Sequence, residues 1–281
     1  MKICSTFAID APKKAPTLLR GNFENCIKRT ANLGFSCIEP QLNLCSDNIP
    51  DWGVIKKQCD EAGINIAAYA TGSLYTKNGL SFISPDDSKI KELIDCLQLY
   101  INAAKVTGGK LIIGCVRGNI AGSGYSECEK KFADGLKKLL SRASDAGVTI
   151  LIEAINRYEN DYLATAAQLV GFIEKYSLKG LEILLDTFHM NIEEKSFLGA
   201  FKDAAKYLGH IHTSDNTRRV PGSGSLPWQQ IIQTLREIGY NGALSFEAIV
   251  DGDENSEALQ GLNFIKGIID KTPDKNHEVL S

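Results

Sequence analysis

The chain has 281 residues, 43% of them hydrophobic and 23% charged, and its 31 Lys+Arg against 34 Asp+Glu leave a formal net charge of −3. Such values exclude a disordered chain, collagen and a coiled-coil fibre, and the missing basic excess argues against nucleic acid as a partner. A chain of this length can bury a core without disulfides or a structural metal.

The N-terminal apolar stretch stops at Asp10, before the core of a secretion signal could form, and no run approaches the roughly 18 apolar residues of a bilayer span. The expectation is a cytoplasmic protein with no membrane partner. All eight cysteines (Cys4, Cys26, Cys37, Cys45, Cys59, Cys96, Cys115 and Cys128) lie in the first half, and none is spaced C-x-x-C. Without a secretion signal they read as reduced packing residues.

Eight strand-like runs follow along the chain: Ile3–Ala8, Ser36–Pro40, Ile64–Ala70, Lys110–Val116, Val148–Ala154, Leu181–Asp186, Tyr207–Thr213 and Ala243–Ala248. They recur about every 35 residues, enough for one strand, one helix and two loops. Between them apolar residues stand at helical spacing, as in Phe23, Ile27 and Ala31 or Leu93, Leu97, Tyr100 and Ala104. Gly34, Gly63, Gly108, Gly147 and Gly239 stand where these helices should stop. Strands alternating with helices imply a parallel sheet. Eight units allow that sheet to close into a (β/α)8 barrel, one domain over residues 1–281. The alternative, an open doubly wound sheet, lacks its glycine fingerprint after the first strand.

Such barrels hold their chemistry at the C-terminal ends of the strands. The last four apolar runs carry Glu153, Asp186, His212 and Glu247 at their ends or one residue before. Side-chain alternation lets all four point into the barrel mouth, although any one acid could instead cap a loop or join a surface ion pair. Three crowded carboxylates repel, and a divalent cation relieves them. Three oxygen ligands and one imidazole suit Mn²⁺ or Mg²⁺, with Co²⁺ also possible, and no organic cofactor is called for. His189 and Arg218, in the next loops, are placed to hydrogen-bond substrate oxygens. Glu159 could meet a substrate hydroxyl or simply be an acid at a helix start. Arg117, just past the fourth strand, could clamp a carboxylate or phosphate or pair with a neighbouring acid. His210 lies one layer deeper and reads as a packed, hydrogen-bonded core residue.

Three segments carry a family resemblance that spans essentially the whole chain: Glu153-Ala154-Ile155-Asn156-Arg157-Tyr158-Glu159, Leu185 through Glu194, and Arg218-Arg219-Val220-Pro221-Gly222-Ser223-Gly224. They resemble the sugar isomerase/epimerase family of xylose isomerase-like barrels, and most closely ketose 3-epimerases of the tagatose and psicose type. The resemblance implies metal ligands at Glu153, Asp186, His212 and Glu247 and substrate contacts at Glu159, His189 and Arg218. Thr71 through Phe82 and Ile112 through Gly118 are instead similar to a branch acting on keto-sugar acids. The implied activity inverts the carbon next to a ketone through a cis-enediolate, with Glu153 and Glu247 as the acid/base pair. The rival is an aldose–ketose isomerase, hydroxypyruvate isomerase-like, or an inosose isomerase or dehydratase. Abasic-site endonucleases share the architecture, but their histidine-rich multi-zinc site fits poorly with four histidines in the chain. The partner is a small-molecule sugar, and the family implies a homodimer or homotetramer.

Overall fold

Each apolar run pairs in parallel with its neighbours in a computed structural model that describes residues 1–46, 49–120, 122 and 124–272. The strands are β1 (Lys2–Ala8), β2 (Leu19–Arg20), β3 (Cys37–Gln41), β4 (Asn65–Ile66), β5 (Ala68–Ala70), β6 (Lys110–Ile113), β7 (Ile150–Glu153), β8 (Leu181–Asp186), β9 (Leu208–Thr213) and β10 (Ala243–Phe246). The helices are α1 (Phe23–Leu33), α2 (Trp52–Ala62), α3 (Gly72–Thr76), α4 (Asp87–Thr107), α5 (Tyr125–Asp145), α6 (Ala166–Tyr176), α7 (Thr187–Glu193), α8 (Phe197–Ala204), α9 (Trp228–Glu237) and α10 (Glu254–Lys271).

β1 pairs with β10 on one side and β3 on the other, so the sheet closes on itself in eight stations. β4 and β5 together make the third station, interrupted at Ala67, whose N–H still reaches the Ile38 carbonyl at 3.0 Å. β2 only extends the end of β1, at Phe7 and Ala8. The fourth strand stops at Ile113, short of the expected Val116, because Cys115–Arg117 turns as 3₁₀ helix. No helix among the described residues is long and apolar enough to cross a membrane.

Local chemistry explains where the helices start and stop. Asn22, Asp51, Asp86, Ser196 and Asp253 accept a backbone N–H at helix N-termini, and Thr165 with Gln168 forms a reciprocal capping box. Gly34, Gly63 and Gly108 close α1, α2 and α4 in left-handed conformation, while Gly147 and Gly239 stand one residue beyond the caps of α5 and α9. Most of the apolar core lies between strands and helices. Inside the barrel Ala68, Ile112, Leu151 and Leu184 form one layer and Cys4, Cys37 and Ala243 another. These layers make a floor, so the polar residues at the strand ends sit on a packed plug.

One cysteine expectation is corrected. Cys45, after β3, and Cys96, on α4, form a disulfide with their Cα atoms 5.6 Å apart. A sequence separation of 51 gives no short spacing from which to read the pair. The other six cysteines are free, and all but Cys115 are buried.

Candidate active site

Strand register brings the four strand-end residues together. Asp186 pairs with His212 across β8 and β9, and His212 pairs with Ser245 on β10, two residues before Glu247. Glu153 closes β7 beside them. One ligand-type atom from each of Glu153, Asp186, His212 and Glu247 lies within 4.8 Å of the others.

The donor set fits a divalent cation. His212 Nδ1 is buried without a hydrogen-bond partner, 3.2 Å from Glu247 Oε2 and 3.6 Å from Glu153 Oε1. Its Nε2 lies 2.9 Å from Glu39 Oε1. A carboxylate only accepts, so Nε2 carries a proton, and in a neutral ring the Nδ1 lone pair would point toward two carboxylates. That arrangement repels itself unless a positive charge sits between them. Burial disfavours the imidazolium, yet Glu247, Glu39 and Glu153 outweigh it and push the imidazole well above its usual pKa. The pocket therefore calls for positive charge, which a proton or a metal ion would satisfy.

Glu39, on β3, is the functional candidate that strand-end reasoning missed. It is fully buried, and its carboxylate accepts from His210 Nε2 at 2.8 Å, His212 Nε2 at 2.9 Å and Ser245 Oγ at 2.7 Å. Burial opposes its charge, but the two imidazoles outweigh that and hold the carboxyl well below the usual range. His210 is packed and bonded as expected, and its role is to share this carboxylate. An acid inside the apolar Cys37-Ile38-Glu39-Pro40 run was the available signal.

Arg218 lines the same cavity and donates to both Asp186 Oδ2 and Glu247 Oε2. Its guanidinium also stacks 4.8 Å from the centre of the Phe188 ring. Burial works against the two charges, but Arg218 holds the Asp186 carboxyl low and the Asp186 and Glu247 carboxylates hold the guanidinium protonated. One guanidinium among three carboxylates leaves the group short of cations, consistent with the donor set above. The Arg218 backbone is left-handed, at φ 61°, an uncommon conformation fixed by the Asp215 carbonyl at its N–H and the Ile249 N–H at its carbonyl.

Asp215 organises the loop that carries Arg218. Its carboxylate accepts from Trp228 Nε1 and from the N–H groups of Asn216, Gly222 and Leu226. Burial raises the carboxyl pKa, and these four bonds more than reverse it, leaving it below the ordinary value. A depressed pKa contributes stability fully above the unfolded aspartate pKa near 4 and loses it as pH falls through the folded value. Asp215→Ala is expected to cost about 2–3 kcal/mol at neutral pH through orphaned donors. Urea unfolding at pH 7 and pH 3.5 checks this: the gap between wild type and variant should narrow at the lower pH.

His189 and Glu159 flank the quartet through Asn156. The Asn156 amide donates to Glu159 Oε1 at 2.9 Å and to His189 Nδ1 at 2.7 Å, an orientation fixed because Asn156 Oδ1 accepts the Tyr158 N–H. With Nδ1 accepting, His189 Nε2 carries a proton and faces Glu153 and Asp186, each at 3.8 Å. Glu159 is half-exposed at the cavity rim.

Arg117 does not take the expected position. The 3₁₀ turn carries it behind the sheet, where it is fully buried and outside the cavity lining. Its Nη1 donates to the carbonyls of Glu153 at 2.9 Å and Leu163 at 3.2 Å, and its guanidinium lies 5.3 Å from the Tyr162 ring centre. It holds the end of β7 from behind instead of meeting a substrate anion. Gly114, at the start of that turn, explains the free space in front. A Cβ there would lie 2.5 Å from Glu153 Oε2. Gly114→Ala should keep the chain folded, because the flexible carboxylate can yield, but at a cost in stability, because φ −105° and ψ −110° lie outside the regions an alanine readily adopts. It should cost about 100-fold in turnover, the scale of a roughly 1 Å misplacement of a reacting group. Steady-state turnover paired with thermal unfolding checks both halves.

The cavity above the quartet measures about 860 Å³ and is lined by Glu153, Glu159, His189, His212, Arg218 and Glu247 together with loops of the first barrel half. A family model described as "Xylose isomerase-like TIM barrel" matches residues 27–268. The chain belongs to this family.

Within the xylose isomerase-like barrels, the D-psicose 3-epimerase of Agrobacterium fabrum is 34% identical over 236 residues, covering 80% of this chain and 78% of that protein. The 3-dehydro-D-guloside 4-epimerase of Escherichia coli is 33% identical over 131 residues, 47% of this chain and 50% of that protein. A crystal structure of a D-psicose 3-epimerase in the presence of D-fructose aligns with a TM-score of 0.82 at 26% identity, over 96% of this chain and 99% of that one. With named epimerases among its relatives over most of its length, the chain is an enzyme of the isomerase class.

Proposed function

We propose that this enzyme is a divalent-metal-dependent epimerase that inverts the carbon next to the ketone of a keto-sugar, C3 of a ketose. Glu153, Asp186, His212 and Glu247 would hold the ion, Mn²⁺ or, from the same oxygen-rich donors, Mg²⁺ or Co²⁺. When bound, the ion supplies Lewis-acid stabilisation for charge developing on the substrate carbonyl oxygen. The observation that carries the reading is that carboxylate oxygens of Glu153 and Glu247, from separate strands, both approach His212 Nδ1, at 3.6 and 3.2 Å. Inversion needs a base on one face of the carbon and an acid on the other, and a substrate carbon lying between these two carboxylates would have both. One of them takes the proton to leave a planar enediolate, and the other returns a proton from the far side. Arg218 and His189 place N–H donors beside these carboxylates, where substrate oxygens would lie. The two epimerases compared above, each named for a carbon adjacent to its carbonyl carbon, support the same reaction type.

Product analysis in deuterated water tests the proposal. Epimerisation labels the inverted carbon and returns a ketose. Formation of an aldose would replace this reading with an aldose–ketose isomerase.

A further inference from the structure

Two polar residues of β3 reach the quartet from the opposite half of the barrel. Residues two apart on a strand share a face, so Gln41, the last residue of β3, stands one step above Glu39 toward the barrel mouth. Gln41 lines the cavity. Its register partners are Ala8 on β1 and Ala70 on β5, which line the cavity too. Their methyl side chains leave room for the longer Gln41 to lie across the mouth.

The Gln41 amide uses that room. Its Nε2 lies 3.1 Å from Glu247 Oε1 and 3.2 Å from the Pro16 carbonyl oxygen. Both partners only accept, so the amide orientation is settled and each of its two hydrogens has one acceptor. The other carboxylate oxygen, Glu247 Oε2, accepts from Arg218 and faces His212 Nδ1 at 3.2 Å. The terminal torsion of a glutamate is soft. Donors on both oxygens, one from β3 and one from the loop after β9, remove most of that freedom from Glu247. Among the described hydrogen bonds Gln41 makes none to Glu153.

We infer that Gln41 is a positioning residue for proton transfer by Glu247. Its amide fixes the direction of Oε1 and ties it to the loop after β1, which walls the cavity. Loss of the donor would free the carboxylate to turn while leaving the carboxylate itself in place. This inference rests on the epimerase reading above and adds a residue to it.

The test is Gln41→Met, which keeps the length of the side chain and has no donor. Proton exchange and inversion at C3 of D-fructose and of its epimer D-psicose are followed by NMR at saturating Mn²⁺. The expected fall in kcat is about 10–100-fold, the upper figure being the cost of a roughly 1 Å misplacement. KM, and the Mn²⁺ affinity read by calorimetric titration, should stay near the wild-type values. The loss should also be uneven, falling chiefly on the epimer whose exchange Glu247→Gln abolishes. A side chain that only braced the loop would instead lower the unfolding temperature and slow both epimers alike. Gln41→Leu, also without a donor, should behave as Gln41→Met does. Equal slowing of both epimers, the bias of Glu153→Gln, an undiminished kcat, or a loss that follows weakened Mn²⁺ binding each overturns the positioning role and leaves the epimerase reading standing. An aldose product, or exchange of neither sugar by the wild type, overturns the epimerase reading and this inference together.

Discussion

Glu153→Gln and Glu247→Gln are each expected to lower epimerisation by about 10²–10⁴-fold at saturating metal, the range for losing a positioned general acid or base. Glutamine keeps the shape and one oxygen of the carboxylate but cannot take a proton from carbon. The two variants should also differ in kind. Glutamine at one position leaves the opposite base able to remove the proton that faces it. Each variant should therefore exchange the C3 proton of one epimer slowly with solvent, without inverting it, and the two variants should choose opposite epimers. Proton exchange and product formation, followed in the same sample by NMR, separate this pattern from general damage to the site. Equal loss for both epimers in both variants would mean that a single group handles both protons.

The second large effect belongs to Glu39, which is fully buried and outside the cavity lining. Its carboxylate fixes the Nε2–H tautomer of His212 and so leaves Nδ1 free as a donor atom. Outer partners of this kind commonly govern metal affinity by about 10–100-fold, and Glu39→Gln is expected to weaken Mn²⁺ binding on that scale. The glutamine amide can present its N–H₂ to one imidazole only by taking an acceptor away, so His210, His212 and Ser245 lose their shared anion. Calorimetric titration of metal-free protein reads the affinity directly. A structural role alone would instead lower the unfolding midpoint of the metal-free protein and leave the affinity of the folded fraction unchanged.

Much of this was legible before any coordinates. Eight apolar runs at even spacing fix the barrel because parallel strands need crossovers, and their register follows from closure. The quartet was visible because Glu153, Asp186, His212 and Glu247 each stand within one residue of the end of an apolar strand, where inward direction and access to the barrel mouth coincide. Arg117 failed because its direction depends on where β6 ends. Ile113 and Val116 are both strand-formers, and only the backbone turn at Gly114 decides which is last. Glu39 was overlooked because it comes from the other half of the barrel, brought to His212 by closure and not by sequence. Asn156 stood in a recognised segment, but its bridge between Glu159 and His189 is a matter of side-chain geometry that spacing does not encode. The Cys45–Cys96 pair depends on how a loop meets α4, which spacing also leaves open.

The most direct test is electron paramagnetic resonance of metal-free protein titrated with Mn²⁺, for wild type and for Asp186→Asn. One tightly held ion per chain in the wild type, lost or greatly weakened in the variant, is the outcome required if these four side chains bind a catalytic cation. Free aqueous Mn²⁺ at every stage of the titration, or binding that ignores the loss of Asp186, would contradict it.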